Sequence, residues 1–361
     1  MHKSTCTKKF LIFPLLACCA LLLSGCYIWK QGTRVLSYTS RSVPIPKLMK
    51  RPDTPDSLKH FLLLVNEIRA YAADSIGLAK NSNFTTFVSI EKPYLIDLVT
   101  ATGKADFVPH TWCYPFFGCW PLRGYFDNAD AIQEANKLKK LGLDVYVGRA
   151  GAFSTLGFLS DPVYSYMKNY HVYQIANLII HEQTHPTVYV KNQAEFSEEF
   201  ASFVGAEGAL GFIRSKYGDS SEQYQNAKKE SRDIDTYYRS IQSLYRALSA
   251  VYGSTIPQEE KLQKKIGIIA GFKDSISRNY NAIFLTQEYR GIEKADINNA
   301  FISLDMTYTL DLDLFYNLYE KENRNLRATV ASIKLMSRKK GDCKENLKVL
   351  ISNLRGPLLI R

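Results

Sequence analysis

Two histidines and a glutamate, His181, Glu182 and His185, interrupt an otherwise apolar stretch of the chain. Buried ionisable side chains are costly unless something satisfies them. Residues 172–185 are predicted to form a helix, on which positions 181 and 185 lie one turn apart on the same face. Both imidazoles could therefore reach one Zn²⁺ ion, and Glu182 could hydrogen-bond the water that such an ion activates. The alternative, a pair of satisfied core histidines, leaves Glu182 unexplained.

The third ligand of such a site is expected to be a carboxylate. No histidine follows His185 in the sequence. The metzincin pattern would place glycine at position 188 and histidine at position 191, where this chain has Val188 and Lys191. We therefore predict that a glutamate on a later helix supplies the third ligand, as in gluzincins.

The helix predicted over residues 197–214 and the residues just before it offer four candidates: Glu195, Glu198, Glu199 and Glu207. Two of them, Glu199 and Glu207, fall near a stripe of phenylalanines that is expected to face a core. Glu198 instead lies above a stripe of small side chains at helical spacing. This stripe consists of Ser202, Gly205 and Ala209. Small side chains let a second helix approach closely, as a shared metal ion requires, so we predict Glu198 as the ligand and Glu195 as the reserve.

Residues 1–25 have the features of a removable export signal. Lysines at positions 3, 8 and 9 precede an apolar stretch from Leu11 to Leu23, which is short for a bilayer span. The tetrad that ends at Cys26 resembles the lipobox of bacterial lipoproteins, in which the cysteine is lipidated and becomes the new N-terminus. An N-terminal transmembrane anchor is the alternative. Because Tyr27 and not aspartate follows Cys26, the resemblance favours the periplasmic side of the outer membrane, if the organism is Gram-negative.

The charge of the chain bears on its partners. The formal net charge of +11 is spread along 361 residues, without a basic run interleaved with aromatic residues. Nucleic-acid binding is therefore not expected, whereas a basic surface suits anionic lipid headgroups. The membrane is therefore an expected partner, through the lipid anchor.

Hydrophobic periodicity predicts an α+β fold, mostly helical, with a small mixed sheet. Residues 26–55 lack periodicity and are predicted to be a tether. Residues 56–361 are predicted to form the folded domain, with a helical C-terminal part from about residue 219. Strands are predicted over residues 93–101, around Trp112 and over 143–148, and the run 187–191 is strand-like. The predicted helices cover residues 56–80, 128–141, 172–185, 197–214, 219–250 and 257–285.

Cys113 and Cys119 are candidates for a disulfide. They lie on either side of Pro115 and Gly118, which predict a turn. In the oxidising envelope that the export signal implies, their pairing is plausible, and two buried thiols are the alternative.

Several blocks of the chain resemble bacterial lipoproteins predicted to be aminopeptidases, which are zinc metallopeptidases of gluzincin type. The resemblance covers most of the mature chain. Its blocks are Trp112–Asp127, Ala152–Pro162, the HEQTH motif with the segment that follows it, and Asn298–Tyr308. This chain has Ser197 where family members usually carry asparagine before the ligand glutamate. The resemblance implies that residues 56–361 are a zinc peptidase domain with a gluzincin-like fold. It also implies that the protein is a zinc-dependent aminopeptidase of the cell envelope, with a peptide as its substrate.

The mechanism implied is metal-assisted hydrolysis, in which Zn²⁺ polarises the scissile carbonyl and Glu182 is the general base. A donor to the developing oxyanion is also required. Tyr308 is the preferred candidate, and Tyr125 and Tyr189 are the others. An aminopeptidase must also bind a free α-ammonium group, for which Glu195 or Glu199 is suitable.

Two alternatives to an aminopeptidase stay open. One is a zinc endopeptidase or a hydrolase of cell-wall peptides. The other is a non-catalytic envelope lipoprotein in which the metal only holds two helices together. Glu182 argues against the second alternative, because a closed structural site needs four ligands and no acid beside them.

Overall fold

The computed structural model describes residues 27–114, 118–150, 160–307 and 311–354. The N-terminal half contains α1 (residues 27–40), β1 (Val43–Pro44), α2 (Ile45–Met49), α3 (Asp56–Tyr71) with a π-helical turn (Ala72–Ile76), β2 (Thr86–Val88), β3 (Ile96–Thr102), β4 (Trp112–Tyr114), β5 (Gly118–Trp120), β6 (Leu122–Tyr125), α4 (Asn128–Lys140), β7 (Asp144–Ala150) and β8 (Val163–Tyr164). The C-terminal half contains α5 (Val172–Thr184), α6 (Ala194–Tyr217), α7 (Glu222–Tyr252), α8 (Gln258–Ile283), α9 (Asn299–Met306), α10 (Leu312–Lys321), α11 (Leu326–Met336) and α12 (Cys343–Asn353). Short 3₁₀ turns precede α5 and α9.

Within the described residues the strands form three small sheets, and the predicted mixed sheet is one of them. β2 pairs with β1 in antiparallel and with β8 in parallel orientation. β3 lies between β6 and β7 and is antiparallel to both, and β4 and β5 form a hairpin. Helices predominate over these sheets, so the predicted α+β class with a mostly helical content is confirmed.

In the part of the chain that the structure describes, three clusters of buried apolar side chains hold the elements together. The largest joins α3, α5, α6 and the C-terminal helices α10 to α12. The second lies between α7, α8 and α9, and the third lies between the sheet of β3 and helix α4. The α5–α6 pair belongs to the largest cluster, and this pair carries the predicted metal ligands.

Most of the predicted helices and strands are found where periodicity places them. The long hairpin over residues 219–285 is formed by α7 and α8, and the strands predicted at 93–101 and 143–148 correspond to β3 and β7.

The prediction of a strand-like run at residues 187–191 is wrong, because its backbone donors are used locally. The amides of Thr187 and Val188 bond to the carbonyl of Thr184, and the amide of Val190 donates to the Ser197 hydroxyl at 3.0 Å. The segment therefore forms turns between α5 and α6.

The N-terminal segment interpreted as a tether contains regular structure within its described residues. Helix α1 covers residues 27–40, and β1 and α2 follow it. Ile45 and Leu48 of α2 are buried in the largest cluster, 1% and 8% exposed. This segment packs onto the domain from Tyr27 onward, where the Tyr27 hydroxyl donates to the Gly124 carbonyl at 2.6 Å.

None of the helices within the described residues has the length and apolar character needed to cross a membrane.

Candidate metal centre

Helix α5 carries His181 in its last turn, and His185 follows directly after its last residue, Thr184. Its apolar residues, among them Ile175, Ile179 and Ile180, are buried in the largest cluster and fix the rotation of the helix. The regular helix ends at Thr184, as the proline at position 186 predicts. Proline disfavours helical angles at the preceding residue, yet His185 has φ −56° and ψ −47°. Its side chain therefore keeps the helical register, one turn after His181.

Helix α6 approaches α5 closely at two glycines. A β-carbon on Gly205 would lie 2.5 Å from the Asn177 side-chain oxygen and 3.2 Å from the His181 β-carbon. A β-carbon on Gly208 would lie 2.8 Å from a methyl group of Ile76 and 2.9 Å from a methyl group of Ile180. The small residues of α6 thus let its backbone pack against the turn of α5 that carries His181.

The close approach of the helices brings Glu198 to both histidines. Glu198 Oε2 lies 3.4 Å from His181 Nε2 and 3.7 Å from His185 Nε2, and the two Nε2 atoms are 3.3 Å apart. Three ligand atoms that share one zinc ion in tetrahedral geometry, each about 2.1 Å from it, would lie about 3.4 Å from one another. The three side chains therefore fit a zinc ion in both donor chemistry and spacing.

Burial and mutual charge set the protonation of these groups. Burial lowers the pKa of His181, but the hydrogen bond to Glu198 and the charges of Glu182 and Glu198 outweigh it and raise this pKa overall. Burial and the neighbouring His181 lower the pKa of His185 to about 4. Burial acts to raise the pKa of Glu198, but the two histidines lower it overall. A neutral His185 and an ionised Glu198 are the forms that bind metal, because ligands must be deprotonated.

The second ring nitrogen of His185 has an unusual environment. His185 is 3% exposed, and its Nδ1 atom is buried without a hydrogen-bond partner within the described residues. Histidines that bind metal commonly donate this N–H to a carboxylate or carbonyl, which fixes the ring. Within the described part of the chain, the packing around His185 and its Nε2 contacts orient the ring instead.

Glu182 lies next to His181 on α5 and is partly buried. Its negative charge contributes to the raised pKa of His181, so the carboxylate is close enough to the first histidine to act on it.

The other glutamates of α6 have different partners. Lys344, from the start of α12, lies with its ammonium 2.5 Å from Glu195 Oε1, 3.1 Å from Glu199 Oε2 and 2.6 Å from Asp311 Oδ2. Glu199 is fully buried and also accepts a hydrogen bond from the Asp311 amide at 3.0 Å. Glu195 and Glu199, the candidates for binding an α-ammonium group, are thus paired with an ammonium of the chain itself.

Glu207 lies in the middle of α6, nine residues after Glu198, and its carboxylate is 3.8 Å from the guanidinium of Arg324. Ser197 is fully buried, and its hydroxyl accepts from the Val190 amide and donates to the Gln193 carbonyl at 3.2 Å. Through these two hydrogen bonds, Ser197 fixes the segment before α6 to the first turn of that helix.

The three candidate oxyanion donors lie in different places. Tyr125 is buried in the cluster between the β3 sheet and α4, and Tyr189 is 41% exposed in the turns after α5. The preferred candidate Tyr308 lies outside the described residues, as do Cys26 and most of the block 152–162.

Cys113 and Cys119 are directly opposite one another in the β4–β5 hairpin and are joined by a disulfide.

Lys344 and Asp311 are the residues around this centre that the sequence did not indicate. Lys344 is separated from Glu195 by 149 residues and from Glu199 by 145. No motif or periodicity links positions so far apart, so only the packing of α12 against the start of α6 reveals the cluster.

Comparison with known proteins identifies the family of the chain. No curated protein and no solved structure matches it. A family model described as "Putative aminopeptidase" matches residues 26–347. Since this match extends over most of the chain, the protein belongs to that aminopeptidase family.

Proposed function

We propose that the protein is a zinc-dependent aminopeptidase that is held at the cell envelope by a lipid on Cys26. The observation that carries this proposal is the convergence of His181, His185 and Glu198 at zinc-ligand spacing, with Glu182 beside the first histidine. The family description supports a peptidase, and the lipobox resemblance supports the lipid anchor.

In this proposal His181, His185 and Glu198 would hold the zinc ion, as the three protein ligands of a catalytic site. Zinc, when bound, acts as a Lewis acid toward the substrate carbonyl and makes water more acidic. Glu182 accepts the proton of the attacking water and delivers it to the leaving amine. Tyr308 is the proposed donor to the oxyanion.

Glu182→Gln tests the catalytic part of the proposal. The change preserves shape and removes the base, so the variant should fold and bind zinc like wild type but lose at least about a hundredfold in peptide turnover. Glu91→Gln, the same change at an exposed loop position, is the matched control and should keep full turnover. Undiminished turnover in zinc-loaded Glu182→Gln protein would refute the mechanism.

The substrates used in this assay separate the alternatives. An aminopeptidase should hydrolyse peptides with a free α-amine and leave their N-acetylated counterparts intact. Equal cleavage of both sets would indicate an endopeptidase. No cleavage of either set by zinc-loaded wild-type protein would favour a structural metal site.

A further inference from the structure

Helix α1 is fixed to the domain through polar and aromatic side chains. The Tyr27 hydroxyl donates to the Gly124 carbonyl, and the Gln31 side-chain oxygen accepts from the Phe126 amide at 3.1 Å. The Tyr38 ring packs edge-on against Phe126, with the ring centres 5.5 Å apart. Residues 27, 31 and 38 recur at helical spacing, so one face of α1 is the docked face.

The opposite face of α1 exposes its large apolar side chains. Trp29 is 76% exposed and Leu36 is 61% exposed. They are seven residues apart, so they lie two turns apart on the same side of the helix. Ile28, at the flank of this face, is 42% exposed.

This arrangement reverses the usual pattern of a surface helix, which buries its apolar stripe and turns polar residues to water. Exposed apolar side chains grouped in this way mark a surface that contacts a partner. The docked contacts of Tyr27, Gln31 and Tyr38 hold α1 in the orientation that exposes Trp29 and Leu36.

We propose that the exposed face of α1, centred on Trp29 and Leu36, lies in the headgroup region of the lipid bilayer. This inference rests on the proposed lipid attachment at Cys26, which is three residues before Trp29. Tyr27 is already bonded to the domain, so a lipid on Cys26 leaves no free chain between bilayer and domain. The domain therefore lies against the membrane surface and does not stand away from it on a tether.

The side chains of α1 suit a lipid surface. Tryptophan is enriched at membrane interfaces because its ring is amphipathic, and leucine adds apolar area that enters the acyl boundary. Arg34 is exposed, and the half-exposed Lys30 side chain pairs with Asp130 at 2.6 Å. The exposed Arg34 and the net charge of +8 that remains without the three lysines of residues 1–25 complement anionic headgroups.

Fluorescence of Trp29 in the full, lipidated protein tests this proposal. The protein is reconstituted into vesicles of phosphatidylethanolamine and phosphatidylglycerol, with or without brominated acyl chains. The difference in emission between wild type and Trp29→Phe isolates the emission of Trp29. The same difference for Trp120→Phe isolates the emission of a tryptophan in the β4–β5 hairpin, which is the matched control. Brominated lipid should quench the Trp29 emission at least about twofold, because an interfacial ring lies next to the acyl chains. In vesicles, acrylamide in the aqueous phase should quench the emission of Trp29 less than it quenches a fully exposed tryptophan.

Two results would overturn the proposal. If acrylamide quenches Trp29 and brominated lipid does not, the helix lies in water. This is the result expected for a domain that stands away from the membrane on a tether. Trp29 that is shielded from acrylamide without quenching by brominated lipid would indicate a protein occupant, such as a second copy of the chain. The mass of the N-terminal peptide reports the lipid on Cys26 separately, so failure of the anchor is distinguishable from failure of the membrane contact.

Discussion

Replacing Gly205 by alanine should separate the two helices that carry the proposed metal ligands. The added β-carbon would lie 2.5 Å from the Asn177 side-chain oxygen, 3.0 Å from the Asn177 backbone oxygen and 3.2 Å from the His181 β-carbon. The side-chain amide of Asn177 can rotate away from the added β-carbon. The backbone oxygen and the β-carbon are parts of α5, so α5 itself must move by a few tenths of an ångström.

The size of the effect follows from two opposing terms. Overpacking a tight contact costs about 1–3 kcal/mol, and the higher helix propensity of alanine returns up to about 1 kcal/mol. We expect Gly205→Ala to lower the free energy of unfolding by about 1 kcal/mol. Because His181 and Glu198 lie on the two helices that separate, zinc affinity should also fall, by about tenfold.

Urea unfolding and competition for zinc with a chelator measure these two quantities. Gly271→Ala in α8 is the matched control, because a β-carbon there would meet nothing within 4 Å. In that variant the free energy of unfolding should rise by about 0.5–1 kcal/mol, and the zinc affinity should equal that of wild type. If Gly205→Ala matches Gly271→Ala in both stability and zinc affinity, the close approach of α5 and α6 does not support the metal centre as argued here.

Three further predictions concern other groups. Glu198→Ala should yield metal-poor protein, whereas Glu199→Ala should retain zinc, and elemental analysis that gave the reverse would move the ligand by one residue. In protein exported to the envelope, non-reducing peptide mapping should find Cys113 and Cys119 in one linked fragment, and reduction should cost about 2 kcal/mol of stability; two free thiols would contradict this. Burial raises the pKa of Asp305 from 3.8 to about 6, so the folded state binds this proton more tightly than the unfolded state. Stability present below pH 3.8 should therefore be lost as the pH rises through about 6, by up to about 3 kcal/mol. Asp305→Asn should remove this loss from the pH dependence of unfolding, and an unchanged pH profile would refute it.

The long helices of the fold could be predicted from sequence because their apolar periodicity is strong and extends over several turns. The hairpin of α7 and α8 is an example. Short segments were less predictable. The β-branched run at 187–191 has strand propensity, but bonds from its amides to Thr184 and Ser197 take up its backbone donors. Residues 27–40 form a helix although Ile28, Trp29 and Leu36 are exposed, so no aliphatic stripe facing the domain revealed it.

The candidate metal centre was more accessible to sequence reasoning than its surroundings. The spacing of His181 and His185 and the stripe of small residues below Glu198 are local features of two helices. Such features survive folding because helical geometry fixes which residues share a face. The ion pairs of Lys344 depend on the packing of α12 against α6, and a single sequence carries no signal for such a contact.

Metal analysis of the purified protein tests the central claim most directly. If His181, His185 and Glu198 form a zinc site, the wild-type chain should contain one zinc ion per chain, and His185→Ala should contain almost none while remaining folded. Folded wild-type protein that neither contains zinc nor binds it on titration, or a His185→Ala variant with the wild-type zinc content, would contradict the account.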